Sequence, residues 1–248
     1  MRHRLSRPWC RSICQIDEKA RDSTQHKNND PQQAENVAQA SRLLNLAADL
    51  KAGHFIAFGS QAEYGPSQGA LSEAAPTHPK TLYGAAKLAS CILLERLAEL
   101  RGISFTWLRL FSCYGPGDNP RWMLPYLIRR LLKGEEPELT EGGQLWDYLY
   151  VSDAGAAALA VLEKRAYGIF NLGSGKARPL REIVEMARDL IDPKLPLGFG
   201  KIPYSPQQVM HLEADISRLR AASGWEPKVA LAEGLARTIE AIKQGPLD

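Results

Sequence analysis

Apolar residues first fall into register after Pro31, where Val37, Leu43, Leu44, Leu46, Ala47 and Leu50 recur at three- and four-residue steps. That spacing puts them on one face of a helix. Residues 1–30 are polar, lack any periodicity and end in Lys27-Asn-Asn-Asp30, which predicts a disordered tail. Gly53 closes the helix, and His54-Phe-Ile-Ala-Phe58 is a short apolar run of the kind a buried parallel strand needs. A loop rich in Gly, Pro and Ser runs from Gly59 to Pro79. A long helix is predicted over Leu82–Leu100, then a strand over Ile103–Leu110. Strand, loop, helix and strand in that order predict an α/β fold with a parallel sheet covered by helices.

Past Tyr114-Gly-Pro-Gly117 the pattern predicts a helix over Trp122–Leu132, a strand over Leu145–Val151 and an Ala-rich helix over Asp153–Lys164. A further strand, Gly168–Leu172, leads into Gly173-Ser-Gly175. Helices are predicted at Leu180–Leu190 and Leu231–Lys243, and the proline-rich stretch Asp192–Tyr204 between them predicts loop or edge structure.

Composition adds one asymmetry. All 20 glycines of the 248-residue chain lie at Gly53 or later, and the first 52 residues carry the whole net charge of +3. The opening segment therefore holds no glycine-rich phosphate loop. With the remainder neutral, no basic stripe argues for nucleic acid. No apolar run reaches the roughly 18 residues of a membrane span, and the basic N-terminus has no apolar core behind it, so neither a membrane nor a secretory signal is expected. Cys10, Cys14, Cys91 and Cys113 have no metal or redox spacing and are expected as free thiols of a cytoplasmic protein.

The chemistry-bearing pair is Tyr83 and Lys87, four residues apart at the start of the long helix and so on one face of it. The loop before that helix leaves a buried strand at its C-terminal end, where open α/β sheets bind ligands. The same strand end carries a hydroxyl, Ser60. An ammonium beside a phenol favours phenolate, and such a tyrosine can exchange a proton with an alcohol oxygen while hydride moves at the attached carbon.

Phe58-Gly-Ser-Gln-Ala-Glu-Tyr-Gly65, Tyr83-Gly-Ala-Ala-Lys87 and Leu108-Arg-Leu-Phe-Ser-Cys-Tyr-Gly-Pro-Gly117 together resemble the extended short-chain dehydrogenase/reductases. More narrowly, they resemble the NAD-dependent epimerase/dehydratase branch that acts on nucleotide sugars. Trp146-Asp-Tyr-Leu-Tyr-Val-Ser-Asp153, Phe170-Asn-Leu-Gly-Ser-Gly175 and Gly224-Trp-Glu-Pro227 match that branch's later signatures in order, so the likeness covers about residues 31–245. The resemblance implies Tyr83 as acid/base, Lys87 lowering its pKa and binding the nicotinamide ribose, and Ser60 orienting the reacting oxygen. Asn36 falls where the family has a supporting helix asparagine. Phe111 lies on the strand end that passes below the nicotinamide. Ser112, Trp122 and Gln207 fall to the sugar nucleotide, together with Met123 and Tyr126. Two positions depart from the family: Ser112 stands where asparagine is common, and Trp146 where many members have a pyrophosphate-binding arginine. Arg121, Arg129, Arg130 and Arg178 are the candidates to replace that charge.

The resemblance also narrows the reaction. The 4,6-dehydratases place an Asp-Glu pair directly after the Ser/Thr, whereas this chain has Gln61 and Ala62, neither of which can serve the elimination. Glu63 comes one place later, and on an extended segment it would face the opposite way. Two reactions remain: reduction of a nucleotide-bound 4-keto-6-deoxysugar, as in CDP-abequose synthase-type 4-ketoreductases, or 4-epimerisation.

Complete members open with a strand, a GxxGxxG loop and a helix, then two further strand–helix pairs. The resemblance thus implies an N-terminally truncated, incomplete Rossmann-like doubly wound parallel sheet with a small C-terminal α/β substrate domain. Residues 31–115 with part of 145–175 would form the dinucleotide-binding remnant, and 116–145 with 176–248 the sugar-nucleotide part. NAD or NADP is the implied cofactor, with weak or absent binding. A homodimer through the helix starting at Tyr83 is the implied assembly. A catalytically inactive homologue that binds only sugar nucleotide or a protein partner remains the alternative.

Overall fold

The computed structural model of the protein describes residues 29–67, 69–205 and 208–245. The polar segment before Asn29, where the disordered tail was expected, lies outside these residues, as does Gln207. Two compact units emerge: one runs to Gly65 and resumes over Thr77–Trp107, the other comprises Pro66–Pro76 and the chain from Leu108.

In the first unit, helix α1 (Gln33–Asp49) buries Ala40 and Leu44, one turn apart, and packs along helix α2 (Leu82–Arg101). Strand β1 (His54–Ser60) follows α1, and strand β3 (Ser104–Leu110) follows α2 and is hydrogen-bonded to β1. The ends of α2 are set locally. The Thr81 hydroxyl accepts from the Gly84 amide at 3.1 Å, and Gly102 takes the left-handed conformation (φ 64°) that a side chain would resist. Between β1 and α2 the chain turns through a short 3-10 helix, Gln61–Glu63. A side chain on Gly84 would collide with the Ala62 carbonyl oxygen of that turn, so glycine lets the first turn of α2 lie directly against it.

The second unit uses short strands: β2 (Ala70–Leu71), β4 (Ser112–Tyr114), β5 (Leu145–Trp146), β6 (Tyr148–Tyr150), β7 (Gly168–Leu172), β8 (Arg178–Pro179) and β9 (His211–Ala214). β4 pairs parallel with β6, β9 lies parallel between β2 and β5, and β8 closes antiparallel on β5. Within the same unit the Phe111 amide donates to the Leu172 carbonyl at the end of β7, at 2.9 Å. Helices α3 (Met123–Leu132), α4 (Val151–Lys164), α5 (Leu180–Asp189), α6 (Ser217–Ser223) and α7 (Leu231–Lys243) complete the unit. Its core gathers Leu124, Leu127 and Leu131 of α3, Ile183 and Val184 of α5, and Leu235 of α7 around Tyr114 and Tyr150. The architecture is α/β and Rossmann-like.

One expected element is corrected. Leu145–Val151 is not a single strand: Leu145–Trp146 and Tyr148–Tyr150 belong to different sheets, and Val151 opens α4. Asp147 stands at the switch with no exposed surface. Its Oδ1 accepts from the Ser174 amide at 2.7 Å and the Ser174 hydroxyl at 2.5 Å, and its Oδ2 from the amides of Gly175 at 3.0 Å and Ala214 at 3.1 Å. These bonds draw the chain out of a straight strand. Asp147→Ala leaves the buried Ala214 amide without its acceptor, removes that of the part-buried Ser174 and Gly175 donors, and is expected to cost about 3 kcal/mol. Urea denaturation of the two proteins measures the difference, and equal midpoints would contradict this account of the bend.

Candidate active site

Ser60 ends β1 and is almost fully buried. Its hydroxyl oxygen accepts from the Ala62 amide at 3.2 Å, and its own amide donates to Glu63 Oε1 at 2.9 Å, the reciprocal bonds of a capping box. The same carboxylate oxygen accepts from the Trp107 indole N–H at 2.9 Å, and Glu63 has no exposed surface. The extended segment expected here is instead the 3-10 turn Gln61–Glu63, which folds Glu63 back under the strand end. Its burial in a polar clamp was not foreseen, because Trp107 lies 44 residues away on β3. Gly59 completes the clamp: a Cβ there would overlap both Trp107 Nε1 and Glu63 Oε1.

Tyr83 and Lys87 lie on the first two turns of α2, both partly buried. The Lys87 ammonium donates to the Phe58 carbonyl at 3.0 Å and sits 5.7 Å from the centre of the Tyr83 ring. Ser60, Tyr83 and Lys87 therefore belong to one unit, around the end of β1 and the start of α2. Lys87 is tied to the strand end two residues before Ser60. Asn36 is in the same unit, on α1, where its side-chain amide donates to Gln33 Oε1 at 2.8 Å.

Phe111, Ser112 and Trp122 belong to the second unit. Phe111 is buried between β3 and β4, Ser112 is half-buried at the start of β4, and Trp122 is exposed just before α3. The two departures from the family pattern are joined: the Trp146 indole donates to the Ser112 hydroxyl at 2.6 Å. Of the four candidate arginines, Arg178 stands directly across the β5–β8 pair from Trp146, on the same face of the sheet. Arg130 is engaged by Glu135 at 2.6 Å and by the Glu136 carbonyl. Cys91 is buried and Cys113 partly buried. Burial pushes the Cys113 thiol up to about 12, with the Asp118 charge adding to the shift, so it is a poor nucleophile at neutral pH.

Asp118, on the turn that follows Gly115-Pro-Gly117, was missed by sequence reading. Burial raises its carboxyl to about 6, against a smaller opposing effect from the Asn119 amide that donates to it at 2.9 Å. The Tyr148 hydroxyl is pushed up by its own burial first and by the Asp118 charge second. The sequence gives no sign of this, since the shift depends on what covers the turn.

The family model of the NAD dependent epimerase/dehydratase family matches residues 18–173. A dTDP-glucose 4,6-dehydratase of Xanthomonas campestris pv. campestris is 31% identical over 182 residues, which is 69% of this chain and 52% of that protein. A protein of Bacillus subtilis named as an uncharacterized UDP-glucose epimerase is 29% identical over 84% of this chain and 66% of its own length. Among solved structures, the UDP-glucuronic acid 4-epimerase of Bacillus cereus, in complex with UDP-glucuronic acid and NAD, superposes with a TM-score of 0.76 at 26% identity. That match covers 84% of this chain and 67% of the other. The chain thus spans about half the length of the dehydratase it matches.

The Asp118 carboxyl gives the turn a pH signature. Its folded pKa, about 6, lies above its ordinary value of 3.8, so its protonated form stabilises the fold at low pH, and that contribution is lost as pH rises through about 6. Asp118→Asn keeps an acceptor for the Asn119 amide and carries no charge. The variant is expected to melt above the wild type at pH 7.5, with the gap closing toward pH 4. A pH-independent gap in thermal melts would contradict the assignment.

Proposed function

The chain belongs to the NAD dependent epimerase/dehydratase family, and we propose that its chemistry is hydride transfer at C4 of a nucleotide-bound sugar, with Tyr83 moving the proton. The observation that carries this reading is Lys87, held by the Phe58 carbonyl and 5.7 Å from the Tyr83 ring centre, with Ser60 on the same strand end. In the oxidative direction the Tyr83 phenolate takes the proton of the sugar 4-hydroxyl as the C4–H bond gives up its hydride. In the reductive direction the phenol returns the proton to the carbonyl oxygen. Ser60 donates a hydrogen bond to that same oxygen. NAD or NADP, when bound, supplies the hydride acceptor or donor.

The phenol, the ammonium and the Ser60 hydroxyl suit the nicotinamide-ribose end of such a cofactor, with Phe111 and Asn36 as further contacts. No GxxGxxG stretch occurs in the chain, so the backbone cradle for a pyrophosphate is not provided by that motif. Binding of the dinucleotide to this chain is therefore proposed to be weak. Ser112, Trp122 and Gln207 are assigned to the sugar nucleotide. Arg178, opposite Trp146, is the residue placed to offer the diphosphate a positive charge.

Dehydration is disfavoured because Gln61 is an amide, Ala62 carries no polar group, and Glu63 is fully buried. Ketoreduction of a 4-keto-6-deoxysugar is the first reading and 4-epimerisation the second. They separate by cofactor balance: a ketoreductase consumes one reduced cofactor per turnover, whereas an epimerase regenerates it. Ile92, Leu93 and Leu100 are exposed along α2, which supports a homodimer through that helix. Among the described residues no helix is long and apolar enough to cross a membrane.

Tyr83→Phe removes only the ionisable oxygen. It is expected to abolish turnover of a nucleotide sugar supplied with NAD(P)H or NAD, while calorimetry finds the sugar nucleotide bound nearly as before. Wild-type turnover in the variant would sink the acid/base assignment. Sugar-nucleotide binding without turnover in the wild type would favour a binding-only homologue.

A further inference from the structure

We propose that Glu63 is a positioning residue, which sets the direction in which Ser60 offers its hydroxyl hydrogen. The proposal rests on the reading that Ser60 touches the sugar oxygen at C4. A serine hydroxyl carries one hydrogen and two lone pairs. In this chain the Ser60 oxygen accepts from the Ala62 amide at 3.2 Å, so its hydrogen is directed elsewhere and the hydroxyl is left as a donor. That orientation requires the Gln61–Glu63 turn to be closed under the strand end.

Glu63 closes it from two sides. Its Oε1 accepts from the Ser60 amide and from the Trp107 indole N–H, both at 2.9 Å. The first bond fixes the residue that carries the hydroxyl, and the second fastens the carboxylate to β3. Gly59 lets the backbone approach this pair without a side chain in the way. The Phe58 carbonyl, one residue earlier, holds the Lys87 ammonium at 3.0 Å. The carboxylate therefore sits at the base of the segment that presents both Ser60 and the anchor of Lys87. A buried carboxylate accepting two N–H bonds is a strong and directional fastening, and it is made before any ligand arrives, as preorganisation requires.

The experiment uses the whole chain as wild type, Glu63→Gln and Glu63→Ala. Amide exchange at Ser60 and the indole N–H resonance of Trp107 are followed by NMR. Affinities for UDP-glucose and for UDP-4-deoxyglucose are measured by calorimetry, and their ratio reads the hydrogen bond to the oxygen at C4. In Glu63→Ala, Ser60 is expected to exchange roughly tenfold faster or more, the indole resonance to move, and the preference for UDP-glucose to collapse. Glu63→Gln keeps an acceptor oxygen and is expected to restore most of all three. Unchanged Ser60 exchange in Glu63→Ala overturns the proposal. Faster exchange with the preference intact also overturns it, because Glu63 is then only a structural fastening. A wild type that binds both sugar nucleotides equally refutes the contact between Ser60 and the C4 oxygen, and with it any part for Glu63 in the reaction.

Discussion

The first unit depends on how closely the end of β1 can approach β3. At Gly59 the backbone lies against the Trp107 indole and the Glu63 carboxylate, with no room for a methyl group. That contact brings the carboxylate under Ser60, turns the chain through Gln61–Glu63 and delivers it to the N-terminus of α2. Gly84 then allows the first turn of α2 to settle on the Ala62 carbonyl. Two glycines and one buried acid thus determine where Ser60, Tyr83 and Lys87 stand relative to one another. The cost of burying Glu63 is offset by the N–H groups that point at it, the condition under which charged groups persist inside proteins.

The second unit repeats the device. Asp147, also with no exposed surface, accepts from Ser174, Gly175 and Ala214 and so joins the strand switch at β5–β6, the loop after β7 and the end of β9. Asp153 does related work at the start of α4, where its Oδ2 accepts from the Lys228 and Val229 amides at 2.9 and 2.8 Å. In each case a single carboxylate gathers backbone donors from segments distant in sequence. The short strands of this unit contribute few ladder bonds of their own, which is why such anchors matter more here than in a sheet of long strands.

After Ser60 the chain carries Gln61, Ala62 and the buried Glu63, the residues on which the proposal against an elimination rests. Ser112 and Trp146 are bonded to each other, in the region that the proposal assigns to the sugar nucleotide. Arg178 opposite Trp146 brings a cation back to the same face. Substrate preference within the family can shift through such coupled replacements, because a hydrogen bond made between two side chains is withdrawn from the ligand.

The longer helices were legible in the chain because their information is local. α1, α2, α3, α4, α5 and α7 each declare themselves by apolar residues at helical spacing, and α2 also by its terminal glycine, so their predicted and observed limits nearly coincide. β1, β3 and β7 were legible as apolar runs bounded by turn residues, and the order of Ser60, Tyr83 and Lys87 could be read directly. The two-residue strands β2 and β8, the short β4 and β9, and the seven-residue α6 left no such mark. They exist only through hydrogen bonds to partners far along the chain, and the break at Asp147 has the same origin. Tertiary structure alone decided that Glu63 is a buried clamp under Ser60 and that the Asp118 carboxyl holds its proton to about 6. The first depends on the Trp107 donor supplied by β3 and the second on desolvation of the carboxyl, neither of which a residue's neighbours in sequence encode.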